Sequence, residues 1–363
     1  MEKRRIILAS TLNAIDDTRM FEKMAISLTE MPNTSIIIIG QPPKVIPAHA
    51  NIQFIALPKT KRLSLGRLFL PFNIAIKTLK LKPQLLIVNT HELLIVSSLI
   101  RILFGIKIIY DIRENYYRNI RYSEAFIAPL RFVIAASVRL KEKLTSPLIN
   151  HFILAEKVYQ EELTFLSTRQ TLIENKAALP PHFVRTPDPK YIQLLFSGTI
   201  SRSTGVFQAI RWAHLLHQLD ENIRLTIIGF CALNDVRKEL QNAVEDKPFI
   251  TITGITELVP HGEIVEAIKH AHFGIVHYPT SLHTYRSMPT KLYEYMAAGL
   301  PILTSEDQYF AQEVVNKNAG LLWSEDTQTT LASMKSDAFY PNPIPGVHWE
   351  GQQLASLVQR LVP

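Results

Sequence analysis

A hydroxyl, a cation and a carboxylate lie within a few positions of one another in the segment RSMPTKLYEYMAAGLP, residues 286–301. Pro289 suits the first turn of a helix, because its missing N–H would have no partner there. On that helix Thr290, Lys291 and Glu294 lie near the N-terminus, where free N–H groups and the helix dipole attract phosphate. A carboxylate can accept hydrogen bonds from two ribose hydroxyls, and an ammonium can pair with a diphosphate. The pattern therefore suits a nucleotide-binding helix, although ordinary surface ion pairs have the same spacing.

A second group of reactive side chains follows two apolar runs in the first half of the chain. His91 comes after the run LLIVN, and Asp111, Arg113 and Glu114 lie at the end of the run KIIYDI or just after it. Ligands of parallel sheets bind at the carboxyl ends of strands, which makes these positions candidates for a substrate site. Asp111 and Glu114 can orient or deprotonate a hydroxyl, and Arg113 and His91 can contact anionic or hydroxylated groups. The alternative is that these residues form salt bridges that fix loops.

The elements that must position these residues alternate along both halves of the chain. Short β-branched runs without polar alternation are separated by amphipathic stretches, which predicts strands buried on both faces of a parallel sheet. Residues 178–187 hold three prolines and little periodicity, and we interpret them as an interdomain linker. The predicted fold class is α/β, with one doubly wound parallel sheet in domain 1–180 and another in domain 181–345. Residues 346–363 are expected to form a C-terminal helix that can cross back to the first domain.

Composition excludes several classes of protein. Of the 363 residues, 47% are hydrophobic and 20% are charged, a balance that excludes disordered and low-complexity chains. The one cysteine, Cys231, excludes an internal disulfide and a cysteine-rich zinc site, and it fits a reducing compartment. The apolar run after Met1 is too short for a signal peptide. Because residues 93–109 carry Arg101 and Lys107, we expect a buried helix and a buried strand there rather than a membrane span.

The positive charge of the chain is concentrated in its first half. The formal net charge is +7, and basic residues exceed acidic ones by 11 in residues 1–180, whereas acidic residues exceed basic ones by 4 in the remainder. This asymmetry argues against a nucleic-acid partner for the whole chain. In segments 59–82 and 118–143, basic residues are interleaved with large apolar ones, which suits an anionic membrane surface. The alternative is that helices in these segments turn their apolar faces inward and their Lys and Arg toward water.

One segment is similar to a known family. PTKLYEYMAAGLPIL resembles the donor-site helix of GT-B glycosyltransferases, particularly the large retaining family 4, in which the glutamate holds the ribose of a nucleotide sugar. Other segments resemble the same family in the same order, and together they cover nearly the whole chain. They are DDTRMFEKMAISL, NTHELL, IIYDIREN, LLFSGTISRSTGVFQAI, ITGITELVPHGEIVEAIKHAHFGIVHYP and HWEGQQLASLV.

The resemblance implies two Rossmann-like domains that face a cleft, the first binding the acceptor and the second the nucleotide sugar. It implies donor-binding roles for Gly198, Arg202, Gly205, Gly229, Ile255, Thr290, Lys291 and Glu294. Arg202 and Lys291 would stabilise the leaving diphosphate, because positive charge is needed where negative charge develops. Asp111, Glu114, Arg113 and His91 would act on the acceptor.

The same resemblance implies a retaining hexosyltransferase of polysaccharide biosynthesis for the cell envelope. The acceptor would be lipid-linked or a surface polysaccharide, and the enzyme would be cytoplasmic and peripheral on the inner face of the cytoplasmic membrane. Besides the nucleotide sugar, the acceptor and the membrane surface, no nucleic acid is expected as a partner. The sequence has no D-x-D motif and no cluster with metal-ligand spacing, so neither a metal nor another cofactor is expected.

The sequence departs from the family pattern at the positions expected to contact the donor. Many members carry a glutamate where this chain has Arg286, and an arginine and a lysine where it has Thr199 and Thr204. Arg202 lies between the two threonines and can substitute for the missing cations. Many members also have a histidine where this chain has Asp111. Two alternatives therefore stay open: a sugar-nucleotide epimerase on the same fold, and a catalytically inactive relative that acts as a binding partner.

Overall fold

The structure is a computed structural model, and it describes residues 3–43, 46–60, 64–122, 127–180, 182–281, 284 and 286–363. The chain forms two compact units. The first unit comprises residues 1–175 together with 349–363, and the second unit comprises residues 176–348. The chain therefore passes from the first unit into the second and returns to the first for its last helix.

In the described residues of the first unit, one sheet has the strand order β3-β2-β1-β4-β5-β6-β7, and all its strands are parallel. In those of the second unit, the order is β10-β9-β8-β11-β12-β13, again all parallel. The strands are β1 (Arg4–Ala14), β2 (Thr34–Gln41), β3 (Ile52–Ala56), β4 (Leu85–Val88), β5 (Lys107–Ile112), β6 (His151–Leu154), β7 (Gln170–Leu172), β8 (Ile192–Thr199), β9 (Ile223–Phe230), β10 (Ile250–Ile255), β11 (Phe273–Ile275), β12 (Ile302–Thr304) and β13 (Gly320–Leu322).

The helices of the described residues follow the strands in alternation. They are α1 (Ile26–Thr29), α2 (Leu70–Leu81), α3 (Leu94–Phe104), α4 (Tyr116–Tyr122), α5 (Ala128–Thr145), α6 (Tyr159–Glu162), α7 (Val206–Leu219), α8 (Asn234–Val244), α9 (His261–His270), α10 (Thr290–Ala297), α11 (Ala311–Asn316), α12 (Thr327–Ser336) and α13 (Gly351–Leu361). A π-helical segment, Thr18–Ala25, leads into α1, and 3-10 turns lie at Leu65–Phe69, His91–Leu93, Ser146–Leu148 and Arg202–Thr204.

Both faces of the first sheet are covered, as the uninterrupted apolar runs predict. In β1, Ile7 and Ala9 belong to a core shared with α2 and α3, whereas Ile6 and Leu8 belong to a core on the opposite face shared with α1 and α13. This alternation is the two-residue period of a strand, and it places helices on both sides of the sheet. The last helix, α13, lies against α1, and Trp349 just before it donates a hydrogen bond to Ser27 Oγ at 3.0 Å.

The second sheet is covered in the same way. One face packs against α7, α8 and α12, and the other packs against α9, α10 and α11. Both units are thus doubly wound parallel α/β structures, which confirms the fold class predicted from the sequence. The predicted cleft between two domains stays a prediction.

The prediction of a buried helix within residues 93–109 is wrong for one face of that helix. Leu94 and Ile100 of α3 pack against the sheet, but Leu99 and Ile102 are 52% and 60% exposed. Strand β5 is buried as predicted. Hydrophobicity alone could not distinguish a helix that is buried on all faces from one that is buried on its inner face only. Helix α3 is of the second kind, because it lies in the outer layer and only its inner face meets the sheet.

The two basic segments also differ from the inward-packed alternative. Segment 59–82 contains α2 and segment 118–143 contains most of α5, and both helices expose large apolar side chains, among them Phe72 and Val133. Residues 61–63 and 123–126 of these segments lie outside the described residues. In the parts of the chain that the structure describes, none of the helices combines the length and the apolar character needed to cross a membrane.

Candidate functional site

The helix that carries the first candidate residues, α10, is fixed to the second sheet by its aromatic side chains. Tyr295 lies fully buried with its hydroxyl 2.8 Å from Ser197 Oγ at the end of β8. Its ring packs where a Cβ on Gly274 of β11 would stand, since that Cβ would lie 2.3 Å from the ring. The helix begins at Thr290, and Pro289 is the N-cap residue directly before it rather than a residue of the first turn. Its N-terminus is therefore held at the carboxyl ends of the central strands.

Lys291 and Glu294 are not a surface ion pair. Their exposed fractions are 7% and 5%, so both charges lie inside the second unit. The Nζ atom of Lys291 has no hydrogen-bond partner among the described residues, and it lies 3.9 Å from the centroid of the Phe196 ring. Burial lowers the pKa of Lys291 to about 7, with the negative charge of Glu294 acting in the opposite direction. A buried ammonium without a hydrogen-bond acceptor favours the binding of an anion.

Glu294 is held by a residue that sequence reasoning missed. Its Oε1 lies 2.9 Å from Nε2 of His261, the first residue of α9. His261 is 33 positions from Glu294 along the chain, so no helical or strand period relates them. The contact fixes one carboxylate oxygen of Glu294 against a neighbouring helix, and the carboxylate can still accept further hydrogen bonds through its other lone pairs.

Two of the glycines predicted to bind the donor, Gly198 and Gly229, lie in one row with Gly254 at the carboxyl ends of neighbouring strands. Gly229 pairs in register with Gly198 on one side and with Gly254 on the other. A Cβ on Gly229 would lie 1.7 Å from the carbonyl oxygen of Gly198, and a Cβ on Gly205 would lie 2.0 Å from that of His277. Only glycine therefore allows these backbones to approach so closely. Ile255, next to Gly254, has a φ of 65° and ends β10 at the same edge.

Arg202, the predicted substitute for the missing cations, is engaged by carboxylates. Its guanidinium donates to Asp235 at 2.9 Å and to Glu239 at 2.5 and 2.9 Å, both on α8. The two threonines that replace the family's cations close the turn around it. Thr204 Oγ1 donates to the carbonyl of Thr199 at 2.7 Å and accepts from the N–H of Ser201. The hydroxyl thus stabilises a turn at the position where many family members carry a cation.

Arg286, which stands in place of the family's first glutamate, lies before α10 with a φ of 64°. It lines a cavity of about 80 Å³ together with Tyr278, Thr284 and Asp307. Its guanidinium carbon lies 5.7 Å from the centroid of the Tyr309 ring. The substitution therefore places a cation beside a small cavity in the segment that leads into α10.

In the first unit, Asp111 forms a buried ion pair. It is fully buried, as is Arg19, whose Nη2 and Nε donate to it at 2.7 and 3.0 Å. Asn89 adds a third donor at 2.7 Å, and Arg19 also donates to the carbonyl of Ile173. This geometry favours the loop-fixing alternative for Asp111, because its oxygens are already occupied. Arg19 and Asn89 were not singled out in the sequence, where Arg19 lies 92 positions from Asp111.

Arg113 and Glu114 diverge immediately after β5. Arg113 pairs with Asp17 at 2.8 Å, and Asp17 also accepts from the N–H of Met20 at the start of the π-helical segment. Glu114 is exposed and accepts a hydrogen bond from Asn119 at 2.9 Å. Glu114 is thus the more accessible of the two predicted carboxylates.

His91 lies at the same edge of the first sheet as Asp111, after β4. Its Nδ1 is 2.8 Å from Nζ of Lys141 on α5, and its ring packs edge-on against Tyr116. Burial lowers the pKa of His91 to about 4, and the positive charge of Lys141 acts in the same direction. Because an ammonium can only donate, Nδ1 accepts and the ring proton resides on Nε2. His91 is therefore a neutral hydrogen-bond donor at pH 7. Its tautomer is set by Lys141, a contact that sequence spacing did not indicate.

No group of three or more His, Cys, Asp or Glu that could hold a metal ion occurs among the residues covered by the structure.

Solved structures with the same architecture identify the fold. Sucrose-phosphate synthase from Thermosynechococcus elongatus matches with a TM-score of 0.67 at 14% identity, over 99% of this chain and 94% of that one. WaaG, a glycosyltransferase involved in lipopolysaccharide biosynthesis, matches with a TM-score of 0.62 at 12% identity, over 98% and 90%. A UDP-N-acetylglucosamine 2-epimerase matches with a TM-score of 0.60 at 13% identity, over 100% and 96%. The chain thus has the GT-B fold.

Part of the sequence is also similar to a known protein family. Residues 182–336 match the family model described as Glycosyl transferases group 1, whereas no curated protein matches the sequence. That range includes the glycine row and the whole of α10. Residues 182–336 are thus similar to group 1 glycosyl transferases and the chain has the fold of GT-B enzymes, which confirms the resemblance found in the sequence.

Proposed function

We propose that the second unit binds a nucleotide diphosphate sugar at the N-terminus of α10 and that the protein transfers its hexose with retention of configuration. The observation that carries this proposal is Lys291, a buried ammonium without a hydrogen-bond partner among the described residues. A diphosphate oxygen would supply the missing acceptor. The free N–H groups at the start of α10 add partial positive charge in the same place.

The neighbouring residues suit the other parts of such a donor. Glu294, held by His261, can accept hydrogen bonds from ribose hydroxyls through its second oxygen. The glycine row at Gly198 and Gly229 lets backbone N–H groups approach a phosphate closely. Charge on the leaving diphosphate would be stabilised by Lys291 and the helix end, which lowers the barrier to transfer. Because a structural neighbour acts on UDP-N-acetylglucosamine by its name, a uridine nucleotide is the first donor to test.

We assign the acceptor to the first unit. Glu114 is exposed and can deprotonate or orient a hydroxyl, and His91 can donate through Nε2. Asp111 acts as a positioning residue by fixing Arg19, and Arg113 by fixing Asp17. No metal or other cofactor takes part in this proposal, and unchanged transfer in the presence of a chelator is the expected result.

We propose a lipid-linked or surface-polysaccharide acceptor, and hence a role in polysaccharide biosynthesis for the cell envelope. The excess of basic residues in the first half of the chain supports work at an anionic surface. The apolar side chains that segments 59–82 and 118–143 expose support the same location. The proposed place of action is the cytoplasm, peripheral on the inner face of the cytoplasmic membrane, and nucleic acid is not a partner.

Calorimetric titration of the protein with UDP, GDP, ADP and dTDP tests the donor site. One nucleotide is expected to bind, and Glu294→Ala is expected to weaken that binding by about tenfold to a hundredfold through loss of charge-assisted hydrogen bonds. Glu263→Ala, on the exposed face of α9, is the matched control and should bind as the wild type does. Failure of all four nucleotides to bind would overturn the proposal and favour an inactive relative that serves as a binding partner.

The epimerase alternative has support in the structural neighbour that carries out that reaction. The two functions differ in their need for a second substrate. We expect the protein to leave a nucleotide sugar unchanged in the absence of an acceptor and to release the nucleoside diphosphate once an acceptor is added. Conversion of the sugar without an acceptor would instead identify an epimerase.

A further inference from the structure

The outer faces of three neighbouring helices in the first unit are apolar. On α3, Leu94 and Ile100 pack inward, and Ile95, Leu99 and Ile102 point outward with one-turn spacing. A helix that is hydrophobic on both its inner and outer faces is normally covered on both. In the residues that the structure describes, only the inner face of α3 is covered by the sheet.

The same pattern continues on the helices to either side. Helix α3 contacts both α2 and α5. We call the combined surface the outer apolar face, and its principal residues are Phe72 and Ile76 of α2, Leu99 and Ile102 of α3, and Leu140 and Leu144 of α5, all between 52% and 69% exposed. Large apolar side chains exposed on three helices in contact indicate an interaction site.

Charge distinguishes among possible occupants of this face. The three helices carry several basic residues, including the exposed Lys80 and Lys143, and one acidic residue, Glu142. Glu142 is buried, and burial raises its pKa to about 7, so it contributes little negative charge to the surface. A second copy of the chain would bring like charges together, which is unfavourable. A bilayer with anionic headgroups satisfies both the apolar side chains and the basic ones.

We propose that the outer apolar face docks on an anionic bilayer, with α3 at its centre and Leu99 and Ile102 inserted below the headgroups. This deepens the membrane association proposed above and rests on it for the acceptor, but it is independent of the donor site. The two basic segments supply the sides of the outer apolar face through α2 and α5, and its centre, α3, lies in neither segment.

Vesicle pelleting tests the surface directly. Ile95→Ser/Leu99→Ser/Ile102→Ser removes the apolar stripe of α3, and the control Val184→Ser/Leu219→Ser/Val315→Ser removes three exposed apolar side chains of the second unit. The wild type is expected to bind vesicles of equal parts phosphatidylcholine and phosphatidylglycerol more tightly than vesicles of phosphatidylcholine alone. The α3 variant should lose about tenfold or more of its partition coefficient, since each lost side chain removes buried apolar area. The control variant should keep that of the wild type within about twofold.

A fluorophore attached to α3 locates the vesicle contact through a change in its emission, without relying on a loss of vesicle binding. Leu99→Cys and the control Leu219→Cys introduce a thiol into a chain whose own Cys231 is buried. With an environment-sensitive fluorophore, position 99 should shift to shorter wavelength on addition of vesicles, and position 219 should not. Equal responses at both positions, or none at position 99, would overturn the proposal.

Two further measurements separate the proposals from each other. Nucleotide binding by the α3 variant should equal that of the wild type, which also shows that the variant is folded. If wild type binds a nucleotide but no vesicles, the docking proposal fails and the donor proposal stands. Sedimentation that reveals a dimer abolished by the α3 substitutions, without vesicle binding, would assign the face to self-association and likewise overturn the proposal.

Discussion

The ammonium of Lys291 lies 3.9 Å from the centroid of the Phe196 ring, inside the second unit and one residue after the start of α10. The aromatic face partly compensates the charge, but it cannot replace a hydrogen-bond acceptor. Folding therefore holds a cation at a cost in stability at the place where the proposed donor binds. A stability–function trade-off of this kind can be measured.

Lys291→Met is expected to raise the stability of the protein near neutral pH and to weaken nucleotide binding by about tenfold or more. The pKa of Lys291 is lower in the folded protein than in the unfolded chain, so the unfolded chain binds more protons between about pH 7 and pH 10. Wild-type stability should therefore gain a contribution as the pH rises through this window, and the variant should lack it. Urea denaturation at pH 7 and pH 9.5 measures both, and a loss of stability in Lys291→Met at pH 7 would contradict the prediction.

Binding of a nucleotide sugar is expected to be linked to proton uptake above pH 7. The diphosphate favours the charged form of Lys291 and so raises a pKa that burial had lowered to about 7. Affinity should fall as the pH rises from 7 to 9, by up to about tenfold per unit. Calorimetry at pH 8 in two buffers of different ionisation enthalpy counts the protons, and Lys291→Met should take up none through this group. A pH-independent affinity in the wild type would argue against contact between Lys291 and the diphosphate.

His261→Phe is expected to reduce discrimination for the ribose hydroxyls. His261 Nε2 lies 2.9 Å from Glu294 Oε1, and loss of that contact lets the carboxylate move. Binding of the nucleoside diphosphate should weaken by about three- to tenfold, whereas binding of its 2′,3′-dideoxy analogue should change little. An equal loss for both ligands would indicate a general structural effect rather than positioning of Glu294. His261→Gln, which keeps a donor, should recover part of the difference.

Asp111→Ala is expected to destabilise the protein by about 3–5 kcal/mol, because it leaves the buried charge of Arg19 without its partner. The double variant Arg19→Met/Asp111→Leu should be considerably more stable than the single one, since neither charge is then buried alone. Asp17→Ala is the matched control, because it removes a more exposed carboxylate and should cost about 1–2 kcal/mol. Chemical denaturation provides all three values, and an Asp111→Ala protein as stable as the control would refute the buried-pair interpretation.

The parallel sheets could be predicted because their signal is local. Strand β1 alternates Ile6 and Leu8 on one face with Ile7 and Ala9 on the other, and all four are buried. A run that is apolar at every position has few other stable solutions. The start of α10 next to Pro289 also has a local signal, because proline restricts its own backbone and that of its neighbours.

Pairs of residues that are distant along the chain could not be predicted in this way. Arg19 meets Asp111, Lys141 meets His91 and His261 meets Glu294 only through the topology of the sheets. Sequence spacing carries no information about such pairs. The exposed face of α3 escaped prediction for a related reason, since a helix that is apolar on two faces does not indicate which face meets the sheet and which meets another partner.

The return of the chain into the first unit has a consequence for its synthesis. The core of the first unit that includes Met24 and Leu28 is completed by Leu354 and Leu357 of α13, which lie beyond the whole of the second unit. On the ribosome, the second unit can therefore finish folding while the first still exposes the groove that α13 will fill. Until α13 emerges, the nascent first unit carries an open apolar surface, and its folding waits for the arrival of that helix.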